Sequence, residues 1–207
     1  MNKVQLIEEL EKDGFSKEIL DAFRKVKRED FVPENLKEYA YENEPLSIGF
    51  GATISQPYTI AFMLNLLELD NLKKYNLKEK PKILEVGSGS GYVLALISEI
   101  LKDSEIYGVE RIKILVERSK KNLKNYKNIK IFYGDGTKGL KEKSPFDRIL
   151  VSASYDRIPK ILLEQLKKNG ILVMPVKNSI FQIKKNKKIE KKEYPGFVFV
   201  PLIKGTE

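Results

Sequence analysis

The most informative part of this chain reads Ile83-Leu84-Glu85-Val86-Gly87-Ser88-Gly89-Ser90-Gly91-Tyr92. A short apolar run ends in an acid, three alternating glycines follow, and an apolar helical pattern begins after them. This order predicts a buried strand that turns sharply into a helix, with bare backbone at the turn. Bare backbone at the carboxyl end of a strand lets a nucleoside-type ligand lie against the main chain. We therefore expect an α/β domain that binds such a cofactor.

Strands and helices alternate along the sequence after this turn. We predict strands at 82–86, 105–110, 129–133, 147–152 and 171–176, and helices at 91–101, 112–124 and 159–167. Such alternation implies a doubly wound, mostly parallel sheet. Two apolar runs near the end, 180–183 and 197–200, flank a lysine-rich turn and predict an antiparallel C-terminal hairpin. The expected fold is thus α/β, with seven strands in one sheet.

An N-terminal helical extension precedes this core. Its apolar spacing predicts a helix that ends near Gly14, a second helix capped by Ser16, and a third from about Tyr58 to Leu69. The irregular stretch 43–57 contains prolines and glycines, and a loop of this length in a compact domain is more often functional than idle.

The polar, lysine-rich stretch 71–80 is predicted to be a linker. We expect one domain over 1–207, with helices and an active-site loop in 1–80, a cofactor-binding core in 81–176 and the hairpin in 177–207.

Composition limits the chemistry that the chain can perform. Its 207 residues are 42% hydrophobic and carry a net charge of +9, without histidine or cysteine. A histidine-dependent triad, a cysteine nucleophile and a thiolate metal site are therefore excluded. The lysines are spread along the chain, which favours a solvated basic surface over a nucleic-acid partner. The start lacks a signal-peptide core and no apolar run could span a bilayer, so we expect a cytoplasmic protein without a membrane partner.

The spacing of the glycines distinguishes between cofactors. Dinucleotide-binding loops follow G-x-G-x-x-G, but Tyr92 stands at the third glycine position of that pattern. No Gly-Lys-Ser/Thr follows, so a phosphate loop is a poor match. The pattern G-x-G-x-G after a strand that ends in an acid is typical of S-adenosylmethionine-dependent methyltransferases. The predicted cofactor contacts in this stretch are Glu85, Gly87, Ser88, Gly89, Ser90 and Gly91.

Two further acids follow predicted strands. Glu110, with Arg111 beside it, ends the second strand, where a carboxylate can accept both ribose hydroxyls of a nucleoside. The alternative is an acid that stabilises the start of the next helix. Asp135, with Gly136, closes the third strand and can accept a hydrogen bond from an adenine amino group, unless it merely forms a turn.

The irregular loop carries the most specific pattern. Residues 44–58 read Glu-Pro-Leu-Ser-Ile-Gly-Phe-Gly-Ala-Thr-Ile-Ser-Gln-Pro-Tyr. Together with the glycine loop, this segment resembles the protein-L-isoaspartate O-methyltransferase family. Other segments match that family in the same order: Phe31-Val32-Pro33, Val109-Glu110-Arg111, Gly134-Asp135-Gly136, Pro145-Phe146-Asp147-Arg148-Ile149 and Phe199-Val200-Pro201-Leu202.

The resemblance implies a function. The family uses S-adenosylmethionine, without a metal, to methylate the free α-carboxylate of L-isoaspartyl residues in damaged proteins and peptides, and releases S-adenosylhomocysteine. The ester then closes to a succinimide, which reopens partly to normal aspartate. An α-carboxylate with a pKa near ~3.5 is already ionised at neutral pH, so no strong base is needed. We expect a monomer whose partners are isoaspartyl proteins and peptides.

The resemblance also implies roles for single residues. Ser55 corresponds to the active-site serine of the family, although on sequence alone it could instead cap the helix that begins near Pro57. Thr53 and Ile54 are expected to contact the substrate. Many family members carry Ala-Pro-His where this chain has Gln-Pro-Tyr, ending at Tyr58.

Four residues beyond the loop complete the predicted site. Ser152 and Ala153 are small and leave room for a ligand at the edge of the sheet, although they could simply permit tight packing. By resemblance, Leu202 forms part of the substrate groove and Gln182 lies near the cofactor.

Two other functions fit parts of the sequence. A methyltransferase that acts on RNA is suggested by the basic charge. Amino-methylating enzymes of that kind often carry Asn/Asp-Pro-Pro-aromatic after the fourth strand, but this chain reads Ser152-Ala153-Ser154-Tyr155 there. A non-catalytic nucleoside-binding module is disfavoured because the Ser55 loop and the glycine loop are both intact.

Overall fold

The computed structural model describes residues 1–74 and 79–207 of the chain. Its helices are α1 (Lys3–Lys12), α2 (Lys17–Lys25), α3 (Pro57–Leu66), α4 (Leu69–Lys74), α5 (Tyr92–Ile100), α6 (Lys113–Asn122) and α7 (Lys160–Glu164). Its strands are β1 (Leu46–Gly49), β2 (Ala52–Ile54), β3 (Lys82–Val86), β4 (Glu105–Glu110), β5 (Ile129–Tyr133), β6 (Phe146–Val151), β7 (Leu166–Val176), β8 (Ser179–Lys185) and β9 (Ile189–Pro195). Short 3-10 helices lie at Arg28–Phe31, Glu34–Tyr39, Gly136–Lys138 and Lys141–Lys143.

The central sheet has seven strands in the order β5-β4-β3-β6-β7-β8-β9. The five strands from β5 to β7 run parallel to one another, whereas β8 and β9 pair antiparallel. The predicted mostly parallel sheet with an antiparallel C-terminal hairpin is therefore confirmed. The chain leaves β3 for β4 on one side and later returns to pair β6 on its other side. Ligands bind at such a switch in strand order, outside the carboxyl ends of the strands.

Alternating side chains of the strands serve the two faces of the sheet. Ile83 on β3 packs with α1, α2, α3 and α5, whereas Leu84 and Val86 pack on the opposite face with α7. Both layers contain apolar residues that are almost fully buried. The period of two along a strand produces this division.

The N-terminal helices pack directly behind the glycine-rich turn. Ser16 caps α2 as predicted, since its hydroxyl accepts the backbone N–H of Ile19. The rings of Phe23 and Phe31 meet the Tyr92 ring edge-on, with ring centroids 6.2 and 5.4 Å away. The extension therefore supports the first residue of α5, the helix that follows the glycines.

Several predicted elements differ from the structure. The predicted strand 197–200 is wrong: β9 lies earlier, at Ile189–Pro195. The predicted helix 159–167 is too long, because α7 ends at Glu164 and β7 begins at Leu166.

The loop and linker predictions also change. The stretch 43–57 is not wholly irregular, since β1 and β2 form a small antiparallel hairpin in it. The predicted third helix is split into α3 and α4, and α4 extends into the predicted linker 71–80. Residues 75–78 of that linker lie outside the described residues. In the described part of the chain, no helix has both the length and the apolar character needed to cross a membrane.

Candidate active site

A pocket opens at the carboxyl ends of β3 and β4. Its volume is about 760 Å³ when the open mouth is included. Three parts of the chain form its walls: the β1–β2 hairpin, the turns after the parallel strands, and the segment 200–203. The predicted site residues that line it are Thr53, Gly87, Gly89, Glu110, Arg111, Gly136, Ser152, Ala153 and Leu202.

A smaller cavity adjoins this pocket on the side of the hairpin. It shares Thr53, Gly87, Gly89 and Ser152 with the larger pocket, and it adds Ile54, Ser55, Glu85, Ser88 and Ser90. The two cavities together bring the predicted loop serine and the glycine-rich turn to one place.

The glycines of the turn have different roles. Gly89 has φ +51°, and a Cβ there would lie 3.1 Å from Cδ1 of Ile48 in the hairpin. Gly91 has φ +87°, and a Cβ there would lie only 2.6 Å from Cδ1 of Leu123. Both conformations favour glycine. Gly91 lines neither cavity, so the structure assigns it to the packing of α5 against the end of α6.

Glu110 is a buried carboxylate that fixes the turn and still faces the pocket. Its Oε2 accepts the backbone N–H of Gly89 at 2.9 Å, and its Oε1 accepts that of Ile112 at 3.0 Å. An ionised carboxylate offers about four lone-pair sites, so about two stay available for ligand hydroxyls. The ribose-binding and helix-start interpretations of Glu110 are therefore compatible, since Ile112 is the N-cap residue of α6.

Glu85 is a buried acid with one unsatisfied oxygen. Its Oε1 accepts a hydrogen bond from the Ser152 hydroxyl at 2.7 Å, whereas its Oε2 has no partner among the described residues. Burial raises the pKa of Glu85 to about 8; the nearby Glu110 adds to the rise and the Ser152 hydroxyl opposes it. The Ser88 hydroxyl is likewise buried without a partner. An acceptor left open in a buried cavity suits a positively charged ligand group.

Comparison with known proteins agrees with this geometry. A model of the protein-L-isoaspartate(D-aspartate) O-methyltransferase family matches residues 1–207. The chain belongs to this family. It is a methyltransferase of the family by its fold and by its full-length match.

Individual relatives are similar over nearly their whole length. The chain is 43% identical to a protein-L-isoaspartate O-methyltransferase of Methanothrix thermoacetophila, over 98% of this chain and 95% of the relative. It is 46% identical to one of Petrotoga mobilis, over 94% of this chain and 92% of the relative. A Plasmodium falciparum structure assigned to the same enzymes, in complex with S-adenosyl-L-homocysteine, superimposes with a TM-score of 0.82 at 29% identity, covering 98% of this chain and 99% of that one.

Ser55, the residue that corresponds to the family's active-site serine, lies directly after β2 in the smaller cavity. The capping alternative is wrong, because Gln56 is the N-cap residue of α3 and no side chain caps this helix. Within residues 1–74 and 79–207, the Ser55 hydroxyl has no hydrogen-bond partner, so it is free to bind a ligand.

Tyr58 stands where many family members carry a histidine, and its ring serves packing. It meets Phe15 edge-on and stacks on Phe62, with ring centroids 5.5 and 6.3 Å away. Tyr58 lines neither cavity, and its backbone N–H donates to the Asn43 side chain at 3.0 Å. The tyrosine therefore stabilises the start of α3 instead of entering the site.

Gln182 does not reach the site. It lies on β8, and its side-chain amide donates to the carbonyl oxygen of Leu66 at 2.6 Å and to the Glu68 carboxylate at 3.2 Å. The structure thus corrects the expectation that Gln182 lies near the cofactor, because this side chain joins the end of α3 to the antiparallel part of the sheet.

Asp135 lies at the edge of the pocket but turns toward its own loop. Its carboxylate accepts the backbone N–H of Thr137 at 2.9 Å and the Thr137 hydroxyl at 2.7 Å, as in the turn alternative. Partial burial would raise the pKa of Asp135, but hydrogen bonds from the Thr137 hydroxyl and from the Gly205 and Thr137 amides hold it below the ordinary value. The carboxylate is ionised at neutral pH.

Arg111 binds the C-terminal tail, residues 203–207, which the sequence analysis did not assign to the site. Its Nε donates to the carbonyl oxygen of Gly205 at 3.3 Å, and its Nη1 pairs with the Glu207 carboxylate at 2.9 Å. Glu207 also donates its backbone N–H to Arg111 O at 2.8 Å and accepts that of Lys113 at 2.9 Å. The tail therefore closes the pocket beside Glu110.

Other lining residues also escaped sequence reasoning. Phe50, Ile112, Val200 and Ile203 line the larger pocket with apolar side chains. Only Phe50 carries a local signal, because it lies between two glycines; it adopts φ +57° at the tip of the hairpin. The rest are ordinary apolar residues whose place depends on tertiary structure.

Proposed function

We propose that this protein methylates the free α-carboxylate of L-isoaspartyl residues in damaged proteins and peptides, with S-adenosylmethionine as the methyl donor. The observation that carries the proposal is the shared cavity of Ser55 and the glycine-rich turn, in a chain that matches the family from end to end. This arrangement provides a cofactor seat and a polar substrate contact side by side.

The residues of the site fit S-adenosylmethionine. The open Oε2 of Glu85 suits a cation, and the free acceptor capacity of Glu110 suits ribose hydroxyls. Gly87 and Gly89 leave the main chain accessible in both cavities. When bound, the cofactor supplies a methyl group on a positively charged sulfur. The S-adenosyl-L-homocysteine complex of the Plasmodium falciparum structure supports this assignment.

Positioning and exclusion of water are the tasks of the protein. The substrate carboxylate is ionised at neutral pH, so a site without histidine has no proton to remove. Ser55 donates its hydroxyl hydrogen bond to that carboxylate or to the cofactor, and Thr53 and Ile54 contact the substrate. Charge is neutralised as an anion attacks a cationic donor, so a dry site under the hairpin favours reaction. Correct orientation contributes up to about 7–11 kcal/mol in the best intramolecular cases.

A methyl-transfer assay tests the proposed substrate. Tritium-labelled S-adenosylmethionine is incubated with the protein and an isoaspartyl peptide, its aspartyl twin, or transfer RNA. We expect label in the isoaspartyl peptide alone. Label in RNA alone, or cofactor binding without transfer to any acceptor, would contradict the proposal.

Two substitutions test the roles of the residues. Glu110→Ala removes the acceptors for the Gly89 and Ile112 amides and for the ribose, so we expect the Kd of S-adenosylhomocysteine to rise by about 100-fold or more. Ser55→Ala should lower kcat by about tenfold or more while this Kd changes little. Calorimetry and steady-state kinetics measure both effects. The reverse ranking would exchange the two roles.

We also propose that the protein acts as a monomer in the cytoplasm. Both described cavities are formed by one chain, so the site needs no second copy. The chain has no cysteine and so gains nothing from an oxidising compartment. Sedimentation equilibrium at micromolar concentration should give the mass of one 23.8 kDa chain.

A further inference from the structure

We propose that Arg118 on α6 is a positioning residue for methyl transfer. Its guanidinium holds the β1–β2 hairpin, which contains Thr53 and leads into Ser55, against the glycine-rich turn. The catalytic part of this proposal rests on the proposed function, whereas its structural part can be tested without any substrate.

The hairpin cannot hold its own position. It is a separate two-stranded sheet in which Leu46, Ser47 and Gly49 of β1 pair with β2. Isolated two-stranded hairpins are marginally stable in water. The tip, residues 49–51, has positive φ at all three positions, and Phe50 in it is 47% exposed. Contacts outside the hairpin must therefore fix its place over the pocket.

Ile48 provides those contacts because it lies outside the ladder. The register shifts between Ser47 and Gly49, which leaves Ile48 as a bulge residue without a partner on β2. The extra residue of a bulge is left unpaired. The carbonyl oxygen of Ile48 accepts a hydrogen bond from Nη1 of Arg118 at 2.8 Å. The Ile48 side chain is 1% exposed and contacts the main chain at Gly89.

Arg118 is suited to this contact. It is partly buried, and within residues 1–74 and 79–207 no carboxylate forms an ion pair with it. Its nearby Lys120, by contrast, pairs with Glu117. A hydrogen bond from a charged donor is about twice as strong as a neutral one. The guanidinium is therefore committed to the hairpin and not to a surface ion pair.

Helix α6 thus connects both halves of the site. Asn122, one turn after Arg118, donates to the carbonyl oxygen of Ser90 in the glycine-rich turn at 3.1 Å. Ser119 contacts the same turn, since a Cβ on Gly91 would lie 3.4 Å from its Cβ. One rigid helix holds the turn through Asn122 and the hairpin through Arg118. The separation between the cofactor seat and Ser55 is set by this helix.

Hydrogen–deuterium exchange tests the structural part. We expect the amides of residues 46–54 to exchange about tenfold faster in Arg118→Ala than in the parent protein, while amides of the central sheet stay unchanged. Lys121→Ala is the matched control, because it removes an exposed cation from the same helix without a recorded contact. Unchanged exchange in Arg118→Ala, or equal acceleration in Lys121→Ala, would overturn the proposal.

Kinetics with an isoaspartyl peptide tests the catalytic part. Arg118→Ala should lower kcat/KM by about tenfold, while the Kd of S-adenosylhomocysteine changes by less than about threefold. Arg118→Lys keeps a charged donor and should recover most of the loss. A kcat/KM equal to that of the parent, or an equal loss in Lys121→Ala, would overturn the role in positioning. If the parent protein itself methylated no isoaspartyl peptide, the proposed function would fail, and the exchange experiment would still decide whether Arg118 holds the hairpin.

Discussion

Glu85 links the protonation of the site to the stability of the protein. Because burial raises its pKa from 4.5 to about 8, the folded state binds a proton that the unfolded state releases between these values. The stabilisation is complete below the unfolded pKa and is lost as pH rises to the folded pKa. The free energy of unfolding should therefore fall across this window, by up to about 1.4 kcal/mol per pH unit from this group.

Glu85→Gln isolates this effect. The amide keeps an oxygen that can accept the Ser152 hydrogen bond, but it does not titrate. We expect the free energy of unfolding of the variant to rise relative to that of the parent protein between pH 5 and pH 8 and to level off above it. Urea unfolding at a series of pH values measures the difference. A difference that stays constant over this range would show that Glu85 has an ordinary pKa in the folded protein.

Single residues were predictable where their spacing along one strand or turn sets their position. Glu85 and Glu110 end neighbouring parallel strands, so the sequence alone places both at one edge of the sheet. The packing role of Gly91 was not predictable, because it depends on Leu123, which is remote in sequence. The place of Gln182 was equally hidden, since its partners lie at the end of α3.

The C-terminal tail shows how a short segment can complete a pocket. Its ion pair between Arg111 and Glu207 is partly exposed, with side chains 21% and 61% accessible, so it contributes at most about 1 kcal/mol. The backbone pairing of Glu207 with Arg111 and Lys113 and the wall formed by Ile203 contribute independently of that charge. The backbone and the apolar wall should therefore matter more than the charge.

Two variants separate these contributions. A chain that stops at Lys204 loses the pairing of the tail, and we expect the Kd of S-adenosylhomocysteine to rise by about tenfold. Glu207→Gln keeps the backbone pairing and should change this Kd by less than about threefold at physiological salt. Calorimetry measures both. Equal effects of the two changes would mean that the ion pair, and not the backbone, holds the tail.

Elements were predictable where they bury an apolar pattern. The parallel strands β3 to β6 do so, and their predicted bounds agree with the structure to within a residue. Strand β9 is an exposed edge strand of mostly charged residues, so hydrophobic alternation could not reveal it. The apolar run 197–200 attracted the prediction instead. Its Phe197 packs on Phe62 and its Val200 lines the pocket, while Val198 is 86% exposed.

The three predicted parts of the chain, 1–80, 81–176 and 177–207, meet at the site. Arg28 in the first part is fully buried, lies over the Tyr92 ring at 5.3 Å and donates to the carbonyl oxygen of Glu44 at 3.3 Å. Burial lowers its pKa to about 10, so it stays charged at neutral pH. The hairpin is held by α6, and the tail is held by Arg111 of the core. Such mutual dependence argues for one cooperative unit.

Thermal unfolding tests this unity. We expect one calorimetric transition, with calorimetric and van't Hoff enthalpies equal. S-adenosylhomocysteine at 100 times its Kd should stabilise the folded state by about 2.7 kcal/mol. For a chain of this size, that corresponds to a rise in Tm of about 5–10 °C. Because the pocket has walls from all three parts, the whole transition should move. Two transitions, of which the ligand shifts only one, would mean that the N-terminal extension or the hairpin unfolds independently of the core.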